Sequence, residues 1–362
     1  MPRITAVYHV RSDAASIETR AKTIAVEQSV EMPISAIDDP RVLDSIVGQV
    51  DSIRPIGNGT FEVQIGLATA TTGLEVGQLM NMLFGNTSIH DDVTLHDVVV
   101  PAHIAAHFSG PNQGLAGLRA RCGAQGRAMT CSALKPQGMP TEALAALAGR
   151  MARGRIDFIK DDHGLADQAY SPFAARVAAC ARAVREAGTR TRYLPSLSGN
   201  LDQLRRQVRL ARDEGLDTLL IAPMVVGLPS FHALVKEFPD MGFMAHPALA
   251  GAARIAPPLL LGKLFRLFGA DASVFPNHGG RFSYSPETCK DLAHAALAPW
   301  DGLKPAVPVP AGGMTVDRVP EMLEFYGTDV MLLIGGGLLA ARERLTEETA
   351  AFVRKVADVG PH

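Results

Sequence analysis

The sequence predicts an α/β chain in which a C-terminal (β/α)8 TIM barrel follows a smaller N-terminal α+β domain of ferredoxin-like type. Three observations carry this. Beyond about residue 115, short apolar runs alternate with helical stretches, and eight such runs can be marked. Polar and glycine residues gather just after those runs, at the strand ends where barrels build their sites. The 362 residues also exceed the ~250 that a barrel uses, leaving room for a second domain.

The division is drawn as residues 1–115 for the α+β domain and 116–362 for the barrel. In the first part, residues 4–10 alternate as a strand and residues 16–26 read as a helix. Strands follow at 52–56, 60–65 and 97–100, with a helix over 75–83, the pattern of an antiparallel sheet backed by helices. In the second part the barrel strands are placed at 128–134, 156–160, 191–197, 218–223, 242–246, 272–276, 306–310 and 330–334. Helix punctuation supports the spacing. Ser171-Pro172 reads as an N-cap and first-turn proline before the apolar stripe Phe173, Val177, Cys180 and Val184, with Gly188 as the stop. Asn200 stands in the same capping position before Leu201, Leu204, Val208 and Ala211.

Composition narrows the function classes. An apolar fraction of 47% supports a large core, and 35 basic against 37 acidic side chains produce no long-range field for nucleic acid or an anionic membrane. No partner of either kind is expected. The four cysteines are scattered without a CxxC pair, which fits a reducing cytoplasm. The start lacks the apolar segment of a signal peptide, and no apolar run is long enough to span a bilayer.

The most informative stretch is Gly154-Arg155-Ile156-Asp157-Phe158-Ile159-Lys160-Asp161-Asp162-His163, an apolar strand that ends abruptly in a lysine, two aspartates and a histidine. Lys160 has two readings. As an amine it is a salt-bridged lysine that would repel a metal; converted by CO2 to a carbamate it becomes an oxygen ligand for a hard divalent cation. Other strand ends present Lys135 in Lys-Pro-Gln-Gly, His246 in Ala-His-Pro, and His278 followed by Gly279-Gly280-Arg281. A lysine such as Lys135 works as a base only if its surroundings depress its pKa. Gly312-Gly313 and Gly335-Gly336-Gly337 follow the last two strands, where barrels commonly hold a phosphate on backbone N–H groups. His90, His96, His103 and His107 have no carboxylate at supporting spacing and read as structural.

These residues resemble the RuBisCO large-chain superfamily, and more specifically its type IV, non-carboxylating RuBisCO-like proteins, over nearly the whole chain. The segment Gly154 to Asp162 resembles the family's metal motif, in which a carbamylated lysine binds Mg2+ with an aspartate and a following glutamate. The resemblance therefore implies Lys160, as its CO2 carbamate, and Asp162 as ligands, with His163 in the glutamate's place. It implies Lys135 as the enolising base. Glu27, in Ala25-Val26-Glu27-Gln28-Ser29, and Asn86, in Phe84-Gly85-Asn86, are implied as residues lent to a partner's site in an obligate homodimer.

Departures from the family pattern shape the expected reaction. Gln137 stands where the carboxylases have a CO2-orienting lysine, and Pro247 where an arginine grips a second phosphate. Carboxylation is thereby disfavoured, and a monophosphorylated substrate is expected on the loops around Gly312, Gly313, Gly336 and Gly337. Imidazole is a poorer ligand for Mg2+ than a carboxylate, so His163 opens Mn2+ as a choice, while Lys160 and Asp162 favour a retained metal. The expected activity is metal-dependent enolisation of a monophosphorylated keto sugar derivative, with decarboxylation of a phosphorylated 3-oxo sugar acid placed first. The alternatives are an enolase or isomerase acting on a methylthio-ribulose or diketo phosphate, a non-catalytic sugar-phosphate-binding barrel, and a Schiff-base aldolase. His246, His278 and Arg281 are the candidates for contacting substrate or relaying protons.

Overall fold

A computed structural model describes residues 2–280, 282, 284–300 and 302–359. It divides into two compact units, one made of the residues up to Ser109 with Leu249–Leu260, the other of Gly110–Ala248 with the residues from Leu261 onward.

The first unit is built on a four-stranded antiparallel sheet of order β2-β3-β1-β4, comprising β1 (Arg3–Arg11), β2 (Gln49–Gly57), β3 (Thr60–Ala68) and β4 (Val93–Val99). Along β1, Ile4, Ala6, Tyr8 and Val10 are buried and their neighbours are mostly partly exposed, so one face packs inward. The helix Ile17–Glu27 buries Ile17, Ala21, Ile24 and Ala25, at i, i+4, i+7 and i+8. The Tyr8 hydroxyl, buried in this layer, donates to the Leu83 carbonyl at 2.6 Å. Strand β4 begins four residues earlier than the sequence indicates. A register shift in its pairing with β1, opposite Val7 and Tyr8, interrupts the alternation that would have marked it.

The second unit is the expected barrel. Its strands are β5 (Met129–Leu134), β6 (Phe158–Asp161), β7 (Arg192–Leu194), β8 (Ser196–Leu197), β9 (Thr218–Ile221), β10 (Gly242–Ala245), β11 (Ala272–Pro276), β12 (Val307–Ala311) and β13 (Met331–Leu333). All pair in parallel, in the orders β13-β5-β6-β7 and β8-β9-β10-β11-β12, and β12 lies beside β13 to complete the ring. The single strand expected over 191–197 is broken at Pro195, which has no N–H for the ladder. Its carbonyl still accepts from the Leu220 N–H at 3.0 Å.

Alternation sorts these strands into two cores. Cys131, Phe158, Leu194, Leu220, Met244, Val274, Val309 and Leu333 form one cluster, drawn from strands all round the ring, and so fill the barrel. Leu134, Ile159, Leu332 and Ile334 point the other way, into a cluster with helix residues Leu144, Val184 and Phe352. Asn200 caps the helix Leu201–Asp213 in a full capping box with Gln203, as its position predicts. Ser171 does not cap. The helix Phe173–Glu186 starts after Pro172, the Phe173 N–H donates to Asp167 at 2.7 Å, and the Ser171 hydroxyl pairs with Thr141 instead. Among the described residues no helix is long and apolar enough to cross a membrane.

Candidate active site

Strand β6 sets the site through its period of two. Phe158 faces into the barrel and Ile159 out, so Lys160 and Asp162 continue the inner row and Asp161 the outer one. Asp161 is fully buried on the outer side. Its carboxylate accepts from Arg176 Nε at 3.0 Å, the Tyr193 hydroxyl at 2.8 Å and the Ser196 N–H at 3.0 Å. Arg176 also donates to the Ser171 and Ala166 carbonyls, each at 2.7 Å, and so fastens the loop that follows Asp162 and His163. Of the adjacent aspartates, one is occupied by the fold and the other is presented to the barrel mouth.

Strand β5 brings Lys135 to Asp162. Ala133 is in register with Lys160 and Leu134 with Asp161, so one further step sets Lys135 beside Asp162. The Lys135 ammonium donates to Asp162 Oδ2 at 2.6 Å. Lys160, only 4% exposed, donates to the Asp161 carbonyl at 3.0 Å, and burial pushes its pKa below the usual lysine range. Burial works to raise the Asp162 carboxyl, yet His163, Lys135 and Lys160 around it hold it well below the usual carboxylate range. His163 Nδ1 lies 2.8 Å from Asp162 Oδ1, but that oxygen is buried without an aligned hydrogen bond.

Two imidazoles close the cluster. The rings of His163 and His246 stack with centroids 4.0 Å apart and planes 8° from parallel. His246 Nδ1 accepts from the Ala248 N–H at 3.1 Å, which leaves its proton on Nε2. Its pKa is pushed down to about 2, first by burial and then by the charges of Lys160 and His163, so the ring is neutral at ordinary pH.

The donor set fits a divalent cation only if Lys160 is modified. Among the described residues no three His, Cys, Asp or Glu side chains converge on one point. Asp162 and His163 supply two donors; Lys160 would supply the third as a carbamate, and burial, which lowers its pKa, favours the deprotonated amine that adds CO2. The unpaired Asp162 Oδ1 is an orphan acceptor awaiting a partner.

The remaining predicted residues are spread over several loops. His278 packs against Phe325 with ring centroids 4.4 Å apart, and its Nε2 is buried without a hydrogen-bond partner. Arg281 lies outside the described residues. Gly312 and Gly313 both adopt positive φ, at 85° and 69°, and Gly336 opens the short helix Gly336–Leu339 with Gly337 as its second residue. Two of these loops meet closely: a Cβ on Gly280 would run into the Gly312 carbonyl oxygen. In the first unit, Asn86 Nδ2 donates to Glu27 at 2.9 Å and to Glu31 at 2.8 Å. Gln28 holds the segment beneath, donating to the Asn81 and Met82 carbonyls and accepting from the Thr87 N–H and hydroxyl. Sequence reasoning missed Glu31 and the Arg176–Tyr193 anchor. Glu31 lies four residues after Glu27 but beyond the end of that helix, with a left-handed backbone at φ 54°, so helical spacing gave no signal for it.

Residues 114–272 match the ribulose bisphosphate carboxylase large chain, catalytic domain. The 5-methylthioribulose-1-phosphate isomerase of Rhodospirillum rubrum is 64% identical over 360 residues, covering 98% of this chain and 96% of that protein. The chain belongs to the RuBisCO large-chain family. It is an enzyme of the family's RuBisCO-like, type IV branch. A 2,3-diketo-5-methylthiopentyl-1-phosphate enolase of Geobacillus thermodenitrificans is 32% identical over 290 residues, covering 76% of this chain and 70% of that one. The crystal structure of a Rubisco-like protein from Rhodopseudomonas palustris superposes with a TM-score of 0.94 at 55% identity, covering 100% of this chain and 99% of that one. These relatives correct the expected reaction. They support the enolase or isomerase alternative and not the decarboxylation placed first from the sequence.

Proposed function

We propose that this chain is an isomerase of 5-methylthioribulose 1-phosphate. The observation that carries the reading is the 64% identity to an isomerase of that name across 98% of the chain. The substrate's chemistry agrees with the cluster. A ribulose has its ketone at C2, and with the C1 oxygen esterified to phosphate the free hydroxyl next to the ketone is at C3. Taking the C3 proton gives an enediolate, and returning a proton to C2 moves the carbonyl along the chain.

In this reading Lys135 moves the proton, and His246, fixed with its proton on Nε2, donates a hydrogen bond to a substrate oxygen. Lys160 as a carbamate, Asp162 and His163 would hold a divalent cation, Mg2+ by family habit. When bound, it supplies positive charge beside the substrate oxygens. Gly312, Gly313, Gly336 and Gly337 receive the single phosphate on backbone N–H groups. His278, after strand β11, and, from the sequence alone, Arg281 are the further candidates for contacting substrate or relaying protons. Glu27 and Asn86 complete the site of a second copy in a homodimer. We place the protein in the cytoplasm, where its four free, buried cysteines stay reduced.

The test is incubation with 5-methylthioribulose 1-phosphate, Mg2+ and bicarbonate in D2O, followed by NMR. A positional isomer carrying solvent deuterium, without CO2 release, is expected, and Lys135→Ala should abolish the exchange. Absence of both isomer and exchange would sink the proposal; enolisation of the diketo phosphate instead would replace it with the enolase reading.

A further inference from the structure

Asp162 offers two carboxylate oxygens that are in different states. Oδ2 is engaged by the Lys135 ammonium at 2.6 Å, whereas Oδ1 is buried without a hydrogen bond beside His163. A divalent cation held at Oδ1 shares one negative charge with that ammonium, and two positive charges a few ångströms apart repel. The ammonium is the one that can leave. Its side chain is 39% exposed at the barrel mouth, whereas the Asp162 side chain is 6% exposed.

We propose that Lys135 is an internal counter-cation for Asp162 which the divalent cation must displace, so that metal loading and the freeing of Lys135 toward substrate are a single event. The inference rests on the metal-site reading given above. Binding and displacement are linked reciprocally: removing the lysine tightens the cation, and adding the cation liberates the lysine. A site loaded with metal would thus have its proton-moving side chain in play, and an unloaded site would have it tethered.

The experiment is Mn2+ titration of the full-length protein with bicarbonate present, followed by the loss of the free-ion EPR signal. Lys135→Met should bind Mn2+ about five- to tenfold more tightly than wild type, the scale of losing one well-placed ion pair. Lys135→Arg, which preserves the competing cation, should stay within about twofold of wild type, and Lys160→Ala should bind weakly. In the unmutated protein, Mn2+ should accelerate acylation of the Lys135 amine, read by mass spectrometry. Equal or weaker binding by Lys135→Met, or protection of Lys135 by Mn2+, overturns the proposal while leaving the metal site standing. Failure of wild type and every variant to bind Mn2+ removes the metal-site reading itself, and this inference with it.

Discussion

Replacing Asp161 by alanine should damage the fold far more than the chemistry, although its neighbours Lys160 and Asp162 face the barrel mouth. Both Asp161 and Arg176 are 0% exposed, so deleting the carboxylate strands a buried guanidinium. Such a loss costs about 3–5 kcal/mol. The Tyr193 hydroxyl and the Ser196 N–H also lose their acceptor, at about 1–3 kcal/mol each if nothing replaces it. These terms overlap, because Arg176 keeps the Ser171 and Ala166 carbonyls. About 5 kcal/mol is therefore expected, a large share of the ~5–15 kcal/mol typical of a folded protein. With a urea slope of roughly 2–3 kcal/mol/M, the unfolding midpoint should fall by about 2 M. Since that variant could fail to fold, the companion is Asp161→Leu with Arg176→Met, which removes both charges and should recover most of the loss. Asp162→Ala should lower the midpoint less than Asp161→Ala, because its partner Lys135 is 39% exposed and regains water when the pair is lost. A loss below ~1 kcal/mol for Asp161→Ala, or a double variant as unstable as the single one, would refute the assignment of Asp161 to the fold.

Three further outcomes are expected. Asn200→Ala removes the capping box of the helix Leu201–Asp213 and should cost about 1 kcal/mol by urea denaturation. His9 has a lowered pKa because of burial first and then the charge of His96, whose ring stacks on it at 3.6 Å. The unfolded chain therefore takes up this proton first, and stability should fall as pH drops below ~6.5, with a shallower fall in His9→Gln when midpoints at pH 7.5 and 5.5 are compared. Gly280→Ala pushes a methyl group toward the Gly312 carbonyl and should raise KM for a phosphorylated substrate about tenfold with a smaller change in kcat, as read from steady-state rates. An unchanged KM would detach that loop contact from phosphate binding.

The barrel was readable because parallel strands buried on both faces appear as apolar runs bounded by glycine, proline and charge. All eight runs correspond to strands, with ends displaced by at most two residues and one run split where Pro195 interrupts the ladder. What escaped the sequence depends on distant partners. Ser171 has the chemistry of a cap, but Asp167 takes the amide and Thr141 the hydroxyl. Strand β4 was shortened in prediction because its register shift breaks the two-residue period. In the candidate site, the period of two already separates Asp161 from Lys160 and Asp162. The ion pair between Lys135 and Asp162 is different in kind, since it arises from the register of β5 against β6 and leaves no mark in either segment alone.

The division of labour between Asp161 and Asp162 bears on how such a protein can change over generations. Substitution at His163, at the open end of the strand and half exposed, alters the reactive cluster while leaving the Arg176 anchor in place. Insertion or deletion of one residue within β6 would exchange the two aspartates, sending the anchoring carboxylate into the lumen and the reactive one against the helices. Diversification at this strand is therefore open to point replacement and closed to changes in length. The reading frame of four residues, Phe158 to Asp161, acts as the hereditary constraint within which new chemistry can be tried.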